Sequence, residues 1–153
     1  MPSLYLSGEM ETTLTAVRLN EQVLVMASTP EVERSNSEEL AQNLSAMDSN
    51  IKAYGGYVST TEGRGLYQTL QNAWSEYQKM DSELTGMIQQ GNHEDAAVLL
   101  EGEGLTKYNA MINALSALAD FNTNGSGVAR EESVETYQTA ILGQLAVMVV
   151  VLL

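Results

Sequence analysis

Arg18 carries the clearest chemical possibility in this chain. It is the one basic residue of the first apolar-periodic segment, and apolar Val17 and Leu19 flank it. The planar fork of a guanidinium matches the two oxygens of a carboxylate, so Arg18 is a candidate holder of an anionic ligand. The same side chain could instead pair with Glu21 or Gln22 on a wet helix face. Arg64, between Gly63 and Gly65, reads as a solvated residue, as do Arg34 and Arg130.

Other chemistry finds little support. There is no cysteine, which excludes disulfides, thiol catalysis and cysteine metal sites. The single histidine, His93, cannot build an imidazole metal cluster, and no carboxylate precedes it at the offset of a bundle di-iron site. No GxSxG, HExxH, P-loop or GxGxxG motif occurs. The Gly102-Glu103-Gly104 stretch has a carboxylate at its centre and no strand before it, which argues against a phosphate cradle. Trp74, Tyr57, Tyr67, Tyr77 and Tyr108 either line a pocket or fill a core, and helical spacing favours the core. No enzyme, no cofactor and no metal is therefore expected. Seven basic residues against twenty acidic ones give a net charge of −13, which argues against nucleic acid and anionic lipid as partners.

The elements that must position these residues are helical. Long runs are rich in Ala, Leu, Gln, Glu, Met and Ser, and only two prolines occur. A first helix is predicted from about Leu4 to Ser28, with Leu14, Val17, Leu24 and Val25 inward. Thr29-Pro30 stops it. A second is predicted from Ser35 or Ser37, with the stripe Leu40, Leu44, Met47, Ile51 and Tyr54, loosening at Gly55-Gly56. A third begins at Thr60 or Thr61. Its stripe is Leu66, Leu70, Ala73, Tyr77, Met80, Leu84 and Met87, and Gly91-Asn92 ends it. The fourth begins at Asn92 or His93, with Ala97, Leu100, Leu105, Tyr108, Ile112, Leu115 and Ala119 on one side. If it runs through Gly125-Ser126-Gly127 to Ala140 it measures roughly 70 Å at 1.5 Å per residue. Short loops force neighbours to run antiparallel, so the expected fold is all-α, an up-down-up-down four-helix bundle with a long fourth helix. Residues 140–153, AILGQLAVMVVVLL, are uncharged and apolar. They are shorter than the ~20 residues of a spanning helix and read as the start of a truncated membrane helix, after a sensing bundle of residues 1–139.

The segments VRLNEQVLVMAS, GNHEDAAVLLEGEGLTKYNAMINALSALADF and YQTAILGQLAVMVVVLL, in this order around two amphipathic helices, resemble the periplasmic four-helix-bundle sensor domain of bacterial methyl-accepting chemotaxis proteins. The Gly-Asn turn, Asp95-Ala96-Ala97 and the stretch 101–104 carry the likeness. The resemblance implies a chemoreceptor domain in the periplasm, tethered to the inner membrane by flanking transmembrane helices. It implies a homodimer through the first helix, a small-molecule ligand, and signalling by displacement of the fourth helix to a cytoplasmic histidine kinase and its adaptor. In the aspartate-sensing members three first-helix arginines hold the ligand. Arg18 matches the first of these positions, while the others fall near Val23 and Ala27 and the ligand-binding threonine near Glu101. The expected ligand is thus a small organic acid held by Arg18, joined by Gln22 one turn on and by Tyr77 and Tyr108 from the facing core. The competing expectation is a membrane-tethered structural or adaptor bundle that binds another protein.

Overall fold

The computed structural model describes residues 2–124, all of them in helices or the short turns between them. The chain divides into two compact units, Met1–Ala119 and Asp120–Leu153. Of the second, only residues 120–124 are described, and they are helical. The expected passage of the fourth helix through Gly125, its continuation toward a membrane and the apolar tail at 140–153 lie outside the described residues. No helix among the described residues is long and apolar enough to cross a membrane.

The first unit holds α1 (Pro2–Val25), α2 (Pro30–Gly55), α3 (Thr61–Gln89) and a fourth helix, α4, in pieces. An α-helical turn at His93–Leu99 passes into a π-helical turn at Leu100–Gly104, and residues 105–119 return to α-helix. This is the expected all-α four-helix bundle.

Two boundaries differ from the sequence reading. α1 ends at Val25 rather than near Ser28, and α2 starts at Pro30 rather than at Ser35 or Ser37. Pro30 occupies the first helical position, where its missing N–H is no loss, and the Thr29 hydroxyl accepts from the Val32 N–H at 3.4 Å. Pro30 therefore opens α2, after α1 has already ended at Val25. α3 starts where expected, at Thr61, and the Thr60 hydroxyl caps it by accepting from the Gly63 N–H at 3.0 Å. After α3, Gly91 takes φ +78°, a left-handed conformation that suits glycine.

The core follows the predicted stripes in α2 and α3: Leu40, Met47, Ile51, Tyr54, Leu70, Tyr77, Met80 and Leu84 are buried. α4 departs from its stripe. Ala96, Leu100 and Gly104 are buried at steps of four, followed by Met111, Ala114, Leu115 and Leu118. Leu105, expected inside, is 45% exposed. A π turn holds more residues than an α turn, so it shifts the inward face of everything after it by about one position.

α1 and α2 approach closely along their length, while the α2 and α3 backbones stay further apart and are joined by side chains. An amide chain ties α1 to α2. Asn43 Nδ2 donates to Asn20 Oδ1 at 2.9 Å, and Asn20 Nδ2 donates to Asn36 Oδ1 at 3.3 Å.

Candidate functional site

Arg18 does not lie on a wet face. It is buried, because α1 turns Leu14, Val17, Arg18, Glu21 and Leu24 toward the other helices. Its Nη2 donates to the Leu100 carbonyl at 2.9 Å, at the head of the π turn. That turn, not repeated α geometry, presents the carbonyl to a side chain from another helix. The guanidinium carbon stands 5.9 Å from the centre of the Tyr108 ring, within cation–π range. Nη1 is 3.8 Å from Glu21 Oε2, close enough for charge attraction but too far for a hydrogen bond. A Cβ at Gly104 would come within 2.9 Å of Nη1, so the absence of a side chain at 104 makes room for the arginine.

Glu21 is fully buried and accepts a 2.7 Å hydrogen bond from the Tyr77 hydroxyl at Oε2. Asp81, one turn beyond Tyr77 on α3, is buried beside the same group. Burial penalises the charged carboxylate and raises Glu21 to about 8. Asp81 pushes in the same direction, while the Tyr77 hydrogen bond and Arg18 oppose it. Burial likewise raises Asp81 to about 6, and raises the Tyr77 phenol. Charge counting agrees: one guanidinium cannot balance two buried carboxylates, so the cluster favours holding a proton near neutral pH. Three buried atoms of this cluster have no hydrogen-bond partner among the described residues: Arg18 Nη1, Glu21 Oε1 and Asp81 Oδ1. Such atoms are unusual in a packed interior; a proton shared by Glu21 and Asp81 pairs the two carboxylates with each other, which leaves Arg18 Nη1 as the unused donor.

Of the four residues singled out from the sequence, the structure brings Arg18, Tyr77 and Tyr108 around one cluster. Gln22 is only half-buried, and its side chain takes no part in the cluster's hydrogen bonds. Sequence reasoning missed Glu21 and Asp81 as members. Arg64 is exposed, as expected, and donates to the Ser59 carbonyl at 2.8 Å and the Thr61 hydroxyl at 3.2 Å. Trp74 and Tyr77 are buried and stacked at 5.8 Å, whereas Tyr57 is exposed.

α1 also presents a second, outward face. Tyr5, Gly8, Thr12, Thr15, Leu19 and Met26 are exposed, with half-buried Gln22 between the last two. Their spacing of 3-4-3-4-3-4 is the heptad seam of a coiled coil. Leu19 and Met26 are 59% and 72% exposed, large apolar side chains that no neighbour among the described residues covers. The Thr12 and Thr15 hydroxyls are already bonded to the Gly8 and Glu11 carbonyls, so this seam can be buried without stranding a donor.

A family model described as a four helix bundle sensory module for signal transduction matches residues 2–137. No curated protein and no solved structure gives a significant match to the chain.

Proposed function

The chain belongs to the family of four-helix-bundle sensory modules for signal transduction in methyl-accepting chemotaxis proteins, and from that premise we propose that it is the periplasmic input domain of an inner-membrane chemoreceptor that recognises a small organic acid at Arg18. One observation carries the reading. A single buried guanidinium has one nitrogen bonded to the fourth helix at Leu100 and the other, Nη1, without a hydrogen-bond partner. A ligand carboxylate on Nη1 takes over the role of counter-ion from Glu21. Glu21 can then carry a proton, because burial has already raised it to about 8. The Tyr108 ring flanks the guanidinium, Tyr77 keeps Glu21 in place, and Gln22 supplies an amide from the edge of the seam.

Movement of Arg18 toward a ligand pulls on the Leu100 carbonyl and hence on the π turn. The outcome is a small displacement of α4, the class of motion a packed interface amplifies. The ligand must favour one arrangement of α4 over another to signal at all. The outward α1 seam supplies the homodimer contact, and the histidine kinase and adaptor act on a signalling region beyond this domain.

Thermal unfolding with a panel of small mono- and dicarboxylates tests the reading. An acid at a hundred times its dissociation constant adds about 2.7 kcal/mol of stability. Arg18→Lys keeps the charge but loses the fork, and it should remove that gain. A gain that survives unchanged in Arg18→Lys rejects the site. If no acid raises the melting temperature, the adaptor reading gains, with the α1 seam as the surface for a helical partner. Sedimentation of Leu19→Glu and Met26→Glu, expected to be monomeric where the parent chain dimerises, tests the seam separately.

A further inference from the structure

We infer that the groove between α2 and α3 is a second binding site, for a small zwitterion with a short hydrocarbon body. The groove is open to solvent on one side and has a volume of about 260 Å³. That suits a small metabolite rather than a drug-sized ligand. It exists because the α2 and α3 backbones stand apart and only side chains bridge them.

The walls carry one charge of each sign. Asp48 is exposed and held by two donors: its Oδ1 accepts from Trp74 Nε1 at 2.6 Å and from Gln78 Nε2 at 3.1 Å. A carboxylate accepts about four hydrogen bonds, so it retains capacity for a ligand ammonium. Lys52 lines the same groove one turn further along α2, and its ammonium forms no ion pair among the described residues. A pure cation is drawn by Asp48 and repelled by Lys52, and a pure anion meets the reverse. A molecule bearing both charges satisfies both, while Ile51 and Tyr67 receive its hydrocarbon part.

The groove is joined to the buried cluster by direct contacts. Trp74 stacks on Tyr77, the Tyr77 hydroxyl bonds Glu21, and Glu21 faces Arg18, which holds the Leu100 carbonyl. An occupant that shifts Trp74 therefore acts on residues that reach the π turn. That consequence rests on the sensory reading above, whereas binding in the groove does not.

Trp74 is the only tryptophan in the chain, so its emission reports on the groove it lines and on the Tyr77 stack behind it. The full 153-residue chain is titrated with norleucine, hexylamine and hexanoate, which share a hydrocarbon tail and differ in charge. Norleucine should change the emission saturably, with half-saturation about tenfold below that of either single-charge analogue. Asp48→Asn keeps an acceptor for Trp74 and Lys52→Gln alters an exposed residue, so both should fold with unchanged helicity and bind norleucine about tenfold more weakly. Arg18→Lys should leave the titration as it was, which separates this site from the acid site. The inference is overturned by equal responses to all three compounds, by no saturable response, by full binding in both groove variants, or by loss of the response in Arg18→Lys.

Discussion

Glu21 and Glu76 are both glutamates facing cations in one bundle, and they respond in opposite ways. Glu21 meets Arg18 at 3.8 Å inside the bundle and is raised to about 8. Glu76 meets Lys79 at 2.5 Å and Lys107 at 3.3 Å on the surface, and those contacts hold its carboxyl below its ordinary value. Water accounts for the difference. Around Glu76 the solvent carries the charge, and the lysines only add to it. Around Glu21 the solvent is gone, one cation serves two carboxylates, and desolvation outweighs attraction. A cation nearby does not by itself make an ion pair stabilising. Here the buried grouping holds the candidate site and the surface grouping is a solvated face.

Removing the buried cation should have the largest effect. Arg18→Met leaves Glu21 and Asp81 without a counter-charge, and breaking a buried pair costs about 3–5 kcal/mol. The loss should be largest at pH 9, where both carboxyls are ionised, and less than half as large at pH 5, where protons replace the arginine. Urea unfolding at the two pH values checks this, and an equal loss at both would mean the cluster holds no proton.

The parent chain should show the same chemistry as a slope. Both folded values, about 8 for Glu21 and about 6 for Asp81, lie above the ordinary values of 4.5 and 3.8. The native state therefore binds protons more tightly than the unfolded chain. Stability from these protons is fully present below the ordinary values and is lost as pH rises through 6 and 8. Stability should thus fall from pH 5 toward 8, by on the order of 1 kcal/mol per unit for each proton that the native state still holds and the unfolded chain has lost, and level off by pH 9. Glu21→Gln keeps an acceptor for Tyr77 and should flatten the upper part of the slope. Thermal unfolding across that range measures both.

How far the sequence revealed this depends on what each residue type can signal. Stripes of Leu, Met and Tyr in α2 and α3 were legible, because apolar residues at 3-4 spacing have few alternatives to burial. Arg18 was legible as chemistry but not as a location: an i,i+3 Arg–Glu pair suits a wet face equally well. A signal was nevertheless present. Leu14, Val17, Glu21 and Leu24 follow 3-4-3 spacing, and Leu70, Trp74, Tyr77, Asp81 and Leu84 follow 4-3-4-3. Both carboxylates thus sit at core positions of otherwise apolar patterns. The start of α2 was missed because Pro30 was read only as a stop. The π turn was illegible, since Gly102 and Gly104 permit it without demanding it, and what fixes it in place includes Arg18, more than eighty positions away in sequence.

Those two glycines give a smaller and more local test. In an α-helix interior Gly→Ala gains about 1 kcal/mol from propensity. A Cβ at 102 meets nothing within 4 Å, so Gly102→Ala should stabilise by up to about that amount. At 104 the Cβ would sit 2.9 Å from Arg18 Nη1 and 3.3 Å from Leu100 Cδ1. The arginine is held by the Leu100 carbonyl and cannot simply swing away, so Gly104→Ala should be net destabilising by about 1–2 kcal/mol. Opposite signs in the two variants would show that the π turn is pinned by the arginine. A gain in both would show that Arg18 is free to move.

Glu76→Gln should give the smallest effect and closes the comparison from the wet side. The variant removes a carboxylate with two lysine partners, a larger count of direct ion-pair contacts than Glu21 has. If contact number set stability, it should be the more damaging of the two glutamate substitutions. If solvent sets it, water and the neighbouring Glu103, 3.5 Å from Lys107, absorb the loss. The melting temperature should then stay within measurement error at moderate salt, with no change in the slope between pH 5 and 9. Any small loss should shrink further as ionic strength rises, because an exposed pair is screened and a buried one is not. A loss that matched Glu21→Gln and persisted in high salt would remove the distinction between the two glutamates.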